Sequence, residues 1–89
     1  MGLDFFANDR YEMLIVLINN QVTIKDEVYI PLSQQEIADM AHFSKLKTNR
    51  ILNELIEMGY VVTFMNKRGK YALTKRGYKI IEFIKNTNI

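Results

Sequence analysis

The stretch SQQEIADMAHFSKLKTNRILNELIEM, residues 33–58, constrains the fold more than any other part of this sequence. Ser33 and Glu36 have the spacing of a capping box, in which a hydroxyl and a carboxylate each satisfy a backbone N–H group at a helix start. The apolar residues that follow recur at helical spacing until His42. Ser44 is then placed to cap a second helix. The stretch therefore predicts two helices joined by a very short turn.

The second helix of this pair has an inner side and a clear end. Gly59 follows it, and glycine takes the left-handed conformation after a helix without steric penalty. Two helices with only about three residues between them cannot pack antiparallel, so they must cross steeply, which is the geometry of a helix-turn-helix. The residues predicted on the inward stripe of the second helix are Thr48, Ile51, Leu52, Leu55 and Met58.

Length and composition exclude several classes of protein. The chain has 89 residues, of which 48% are hydrophobic, so we expect one small globular domain over residues 1–89. It has no cysteine and only one histidine, which argues against a disulfide framework, a thiol nucleophile and a metal centre. We therefore expect neither a metal site nor a cofactor. There is also no glycine-rich phosphate loop, paired-carboxylate site or Ser/His/Asp set, so we expect a protein that is not an enzyme.

Charge divides the sequence into two unequal halves. Residues 1–43 carry two basic and seven acidic side chains, a net charge of −5. Residues 44–89 carry ten basic and three acidic side chains, a net charge of +7. The basic half begins at the second helix of the pair, which is the pattern of a nucleic-acid-binding face. No apolar run approaches the ~18 residues of a membrane helix, and no signal-peptide pattern opens the chain, so we expect a cytoplasmic protein without membrane contact.

Shorter patterns predict the remaining elements. Val22 and Ile24 fit a strand fragment and Lys25 and Asp26 fit a turn, but the pattern is too short to decide. Apolar residues at positions 3, 5 and 6 favour either packing on the core or a contact between two copies of the chain. The other predicted elements are a helix from residue 8 or 9 to about 20, strands over 28–32, 60–65 and 70–73, a turn over 66–69, and a helix from 75 to about 85 capped by Thr74.

The segments LSQQEIADMAHFSKLKTNRILNELIEMGYV and ALTKRGYKIIEFI, with two short strands between them, resemble the winged helix-turn-helix domain of small bacterial DNA-binding regulators. The ending is similar to MarR-type regulators, and SKLKTNRILNEL is similar to the catabolite-activator type. The resemblance implies an α+β fold: a three-helix core, a small antiparallel sheet or wing, and a C-terminal helix. In these families glycine usually stands where this chain has His42, and histidine is among the residues that tolerate positive φ.

In such a domain the N-terminal part of the second helix enters the major groove. Helical spacing turns Lys45, Leu46, Asn49 and Arg50 outward, and arginine can pair with guanine and asparagine with adenine. The resemblance implies base contacts by Lys45, Leu46 and Arg50, and phosphate contacts by Ser44 and Lys47. Leu46 departs from this pattern, because it has no hydrogen-bonding group and can at most contact a thymine methyl.

Residues outside the second helix complete the predicted site. Ser33 and Gln34 open the first helix of the pair, and free N–H groups at a helix start favour phosphate. Lys67 and Arg68, in the turn between the last two strands, would reach an adjacent minor groove or phosphate. Lys70 lies close enough in sequence to add charge.

These features favour sequence-specific binding of double-stranded DNA by a dimeric transcriptional regulator. Two-fold pairing doubles the phosphate contacts and matches half-sites one helical turn apart. The expected dimer surface combines the first helix, the apolar N-terminal residues and the last helix, and no small-molecule effector is evident. Two alternatives stay open: a replication or partition module of a plasmid or phage, and a winged helix whose basic face binds an acidic protein.

Overall fold

A computed structural model describes residues 9–64 and 70–87 of the chain. Helices and strands alternate in pairs along the sequence. In chain order they are α1 Asp9–Asn19, β1 Val22–Ile24, β2 Glu27–Tyr29, α2 Gln34–Ala41, α3 Lys45–Glu57, β3 Val61–Thr63, β4 Tyr71–Leu73 and α4 Lys75–Thr87. This is the predicted α+β winged helix-turn-helix, with one more strand than the sequence patterns indicated. Residues 1–7, which include the apolar positions 3, 5 and 6, and the turn residues 66–69 lie outside the described residues.

The core lies where α1, α2 and α3 pack against one another. The inward stripe predicted for α3 is confirmed at Thr48, Ile51, Leu52 and Leu55, all of which are buried, and Met58 packs partly buried against the same core. The core also includes residues from α4, β3, β4 and the segment between β2 and α2. Its fully buried apolar side chains include Met13, Leu14, Leu17, Ile30, Ile37, Ile51, Leu52, Leu55 and Val61.

The segment after α1 forms a hairpin that the sequence left undecided. β1 and β2 pair antiparallel, with Val22 opposite Tyr29. Lys25 and Asp26 connect them with φ angles of 50° and 70°. Two central residues at positive φ match the twist of a two-residue hairpin, although glycine and asparagine are the usual choices there. The missing glycine explains why the turn was hard to recognise.

The predicted strand over 28–32 is wrong at both ends. β2 begins at Glu27 and ends at Tyr29, and Ile30 makes only an isolated bridge to Tyr71 of β4. Pro31 has no N–H group to continue the ladder, so pairing stops there. The bridge brings the first hairpin beside the β3–β4 hairpin, which forms the wing.

A close approach between α4 and the end of α3 fixes the last helix. The Thr74 hydroxyl donates to the Gly59 carbonyl at 2.7 Å and accepts from the Gly77 N–H at 3.0 Å, which confirms Thr74 as the cap. Gly77 lies against the Tyr60 carbonyl so closely that a Cβ atom on Gly77 would overlap it. Glycine is therefore required at this position to let α4 seat on the residue that follows α3. α4 ends at Thr87, slightly later than predicted.

Candidate nucleic-acid interface

Both ends of α2 and the start of α3 have the predicted capping residues. Glu36 N–H donates to the Ser33 hydroxyl at 3.2 Å, and Ser33 N–H donates to the Glu36 carboxylate at 2.9 Å, which completes the capping box. His42 ends α2 in the left-handed conformation, with φ 61° and ψ 38°. Ser44 caps α3 by accepting from the Lys47 N–H at 3.0 Å. These local bonds fix the angle at which α3 leaves the turn.

The first two turns of α3 carry an exposed surface. Leu46 is 82% exposed, the most open large apolar side chain among the described residues. Lys45, Asn49 and Arg50 are also exposed, as helical spacing predicted. The first turn, KLKT, contains two lysines and no acidic residue. An exposed apolar residue between cations is suited to a ligand that offers both phosphates and methyl groups.

A chain of side-chain amides links α2 to this surface. The Asn49 amide nitrogen donates to the Gln34 side-chain oxygen at 3.2 Å, and the Asn53 amide nitrogen donates to the Asn49 oxygen at 3.2 Å. Each amide nitrogen has two hydrogens and each oxygen two lone pairs, so Asn49 keeps one donor and one acceptor for a ligand. The structure thus brings together Gln34 and Asn49, which the sequence placed at the same interface by separate arguments.

Ion pairs connect α1 to the cations of α3. The Lys47 ammonium lies 2.6 Å from the Asp9 carboxylate and 4.5 Å from the centre of the Phe43 ring. Glu54 lies between two arginines, at 2.9 Å from Arg10 and 3.7 Å from Arg50. Sequence reasoning missed Asp9, Arg10 and Glu54 as parts of this surface. An i,i+4 spacing marks the pair on α3, but no sequence signal connects α1 to it.

The root of the wing adds aromatic rings and one cation. Tyr29 and Phe64 stack with ring centres 4.8 Å apart, and the Lys70 ammonium lies 5.3 Å from the centre of the Tyr29 ring. Lys70 is half-buried at the base of the wing. Lys67 and Arg68, the predicted wing-tip contacts, lie outside the described residues.

Residues 9–64 and 70–87 contain neither a metal-binding cluster nor a membrane-spanning helix. No three His, Cys, Asp or Glu side chains come together there in a way that would hold a metal ion. Within the same ranges, no helix has the length and apolar character needed to cross a membrane.

Comparison with known proteins connects this geometry to solved regulators. Over 90% of its length the chain is similar to the structure of the reduced Fe(II) CO-sensing protein from R. rubrum, with a TM-score of 0.72 and 21% identity, covering 39% of that chain. It is also similar to a CRP/FNR-family transcriptional regulator from Thermus thermophilus, with a TM-score of 0.66 and 18% identity over 81% of this chain and 39% of that one.

A CRP-family transcriptional regulator from the same organism gives a TM-score of 0.54 at 18% identity, over 79% of this chain and 34% of that chain. The chain therefore spans about two fifths or less of the length of each of these solved structures. A scan of protein-family models and a search of curated proteins found no match. The likeness shows that this chain shares the winged helix-turn-helix fold found within these regulators.

Proposed function

We propose that this chain binds double-stranded DNA sequence-specifically as a dimeric transcriptional regulator, with α3 in the major groove and the 66–70 wing against the adjacent backbone or minor groove. The observation that carries this proposal is the exposed, basic N-terminal part of α3. Lys45, Leu46, Asn49 and Arg50 project there from a helix whose entry angle is fixed by caps on both sides of the turn. Base contacts are assigned to these four residues.

The charge of the α3 start supports an anionic ligand. The N-terminus of a helix carries a partial positive charge, so a lysine in the first turn destabilises it by about 0.3–1 kcal/mol. Lys45 and Lys47 both lie in that turn. A bound phosphate would offset this destabilisation, because both the lysines and the free N–H groups attract it. Phosphate contacts are assigned to Ser33, Gln34, Ser44, Lys47, Lys67, Arg68 and Lys70.

Lys47 already has a partner within the protein, which a DNA phosphate would have to displace or join. Its ammonium is already paired with Asp9. Because both side chains are partly exposed, the pair is worth only about 0.2–1 kcal/mol, so a phosphate can replace or join Asp9 at small cost. Lys45 has no ion pair among the described residues and meets phosphate or base without that competition.

Dimerisation rests on apolar side chains along the outer side of α4 and on the limited size of one domain. Phe83 is 55% exposed and Tyr78 is 37% exposed on this helix. A single small domain makes few phosphate contacts, and a second copy doubles them. Sedimentation at micromolar concentration tests this part separately, with a dimer expected and a monomer contradicting it.

Fluorescence anisotropy of a labelled random-sequence duplex, titrated at several salt concentrations, tests DNA binding. We expect log Kd to rise linearly with log salt, because binding releases counterions from the duplex. Arg50→Ala should weaken binding several-fold, whereas Lys85→Ala on α4 removes the same charge away from α3 and should leave it nearly unchanged. Absent binding at low salt would overturn the proposal and direct the search to a protein partner.

A further inference from the structure

Glu54 lies at the centre of a three-residue ion cluster on the outer side of α3. One carboxylate oxygen lies 2.9 Å from a terminal nitrogen of Arg10, and the other lies 3.7 Å from a terminal nitrogen of Arg50. Side-chain exposure rises across the cluster, from 23% for Arg10 through 34% for Glu54 to 56% for Arg50. The cluster therefore runs from the α1–α3 contact outward to the exposed surface.

The two arginines have different roles in this geometry. Arg10 comes from α1, which packs on α3, and its guanidinium lies 2.9 Å from one oxygen of Glu54. That contact limits the movement of the carboxylate. The other oxygen faces Arg50 at a longer distance, which leaves most of the five N–H donors of that guanidinium for another partner.

We propose that Glu54 is a positioning residue: Arg10 holds its carboxylate in place, and the carboxylate orients Arg50 for guanine recognition. This inference rests on the proposed DNA binding. Arginine has many rotamers, and ordering such a side chain at an interface normally reduces affinity by about two- to tenfold. A fixed carboxylate beside Arg50 removes part of that loss before DNA arrives. The gain applies only where Arg50 meets its correct base, so Glu54 acts on discrimination.

The charge of Glu54 has the opposite effect on binding without base contacts. A carboxylate near the duplex repels phosphates, and this repulsion is independent of sequence. Removing the charge should therefore strengthen binding to random DNA while it weakens preference for guanine. A residue that only supported the fold would lower both together. The two opposite changes distinguish positioning from a structural role.

Glu54→Gln is the test variant and Glu57→Gln is its matched control. Glu57 lies on the same helix, is exposed and forms no ion pair among the described residues, so its substitution removes the same charge without disturbing Arg50. A duplex is first selected from a random library with the unmodified chain. Kd is then measured for this duplex, for copies with each guanine replaced, and for random duplex.

We expect Glu54→Gln to reduce discrimination at one guanine per half-site by about two- to tenfold and to raise affinity for random duplex. Glu57→Gln should raise random-duplex affinity without changing discrimination. In an Arg50→Ala background, Glu54→Gln should have no effect on discrimination, since a residue that acts through another loses its effect when that partner is absent. Equal discrimination in the two glutamine variants would overturn the inference.

Two controls separate other outcomes. If Glu54→Gln lowers the thermal midpoint strongly, Glu54→Asp keeps the charge but shortens its reach, and it should show the loss of discrimination without the rise in random-duplex affinity. Full discrimination by a folded Glu54→Asp chain would count against positioning. If the unmodified chain binds no duplex at low salt, DNA binding itself is wrong. If it binds and selects a sequence while Glu54→Gln matches Glu57→Gln, only the role of Glu54 is wrong.

Discussion

Two helices of this molecule, α3 and α4, look alike in sequence and differ in what the fold does with them. Each has 13 residues, each begins with a basic first turn free of acidic side chains, and each follows a hydroxyl cap. In α4 the first turn packs on the segment after α3, although Lys75 and Arg76 themselves remain exposed. Arg76 lies over the Tyr60 ring at 4.8 Å and Gly77 packs on the Tyr60 carbonyl. In α3 the corresponding positions, Leu46 and Lys47, face outward or pair weakly with α1.

A basic helix start is therefore not by itself evidence of a nucleic-acid site. Both helices attract anions through their N–H groups and lysines. Only α3 presents these groups beside the start of a second helix, α2, with which it shares the Gln34–Asn49 hydrogen bond. The neighbouring element decides which partners each basic turn has within the fold.

Among substitutions that test the difference between α3 and α4, Gly77→Ala should have the strongest effect, a loss of stability. Gly77→Ala places a Cβ atom onto the Tyr60 carbonyl, which is backbone and cannot move aside easily. We expect the free energy of unfolding to fall by about 2 kcal/mol, because overpacking outweighs the better helix propensity of alanine. Thermal denaturation followed by circular dichroism measures this. Gly59→Ala is the control: Gly59 has φ 84° but room for a Cβ atom, so a smaller loss is expected.

A second pair of variants compares the first residues of the two helices directly. Lys45→Ala on α3 should weaken duplex binding by about fivefold. It should also reduce the slope of log Kd against log salt by at most about 0.9, because a lysine at the base edges still neutralises part of the nearby phosphate charge. Lys75→Ala on α4 removes the same charge at the same helical position and should change neither quantity. Anisotropy titrations at four salt concentrations measure both. Equal losses in the two variants would mean that α4 also faces DNA.

The smallest expected effect concerns the two arginines. Arg76→Met removes a cation from the Tyr60 ring and should lower the free energy of unfolding by about 0.5–1 kcal/mol, with duplex affinity unchanged. Arg50→Met should do the reverse, because Arg50 is exposed on α3. Thermal melts and duplex titrations on both variants test this crossed pattern. A parallel loss of stability and affinity in either variant would contradict the separate roles.

Local chemistry made much of the helix-turn-helix predictable. The capping box at Ser33, the left-handed His42, the Ser44 cap and the Gly59 stop each involve residues within a few positions of one another. Their bonds form within a single turn of chain, so spacing alone reveals them. The β1–β2 hairpin stayed undecided because Lys25 and Asp26 adopt positive φ without the glycine that usually signals such a turn.

The exposed candidates on α3 were predicted equally well, because 3.6-residue spacing separates Lys45, Asn49 and Arg50 from the buried stripe. Their partners were not. The Asp9–Lys47 pair, the Arg10–Glu54 pair and the Gln34–Asn49 bond join different helices. Contacts of this kind depend on how whole helices pack, and no local pattern encodes them.

Local sequence patterns were enough to predict where the helices of the motif begin and end, which side of α3 faces inward, and where positive charge accumulates. Caps, apolar spacing and formal charge are properties of neighbouring residues, so they survive without knowledge of the fold. Lys45 of α3 and Lys75 of α4 are both exposed, and packing of the whole fold sets which neighbours each basic helix start contacts. Tyr60 engages the start of α4 through Arg76 and Gly77, whereas at the start of α3 the contact from α1 is a partly exposed ion pair between Asp9 and Lys47. Packing between distant elements set that difference, because it determines which side chains each charged group contacts.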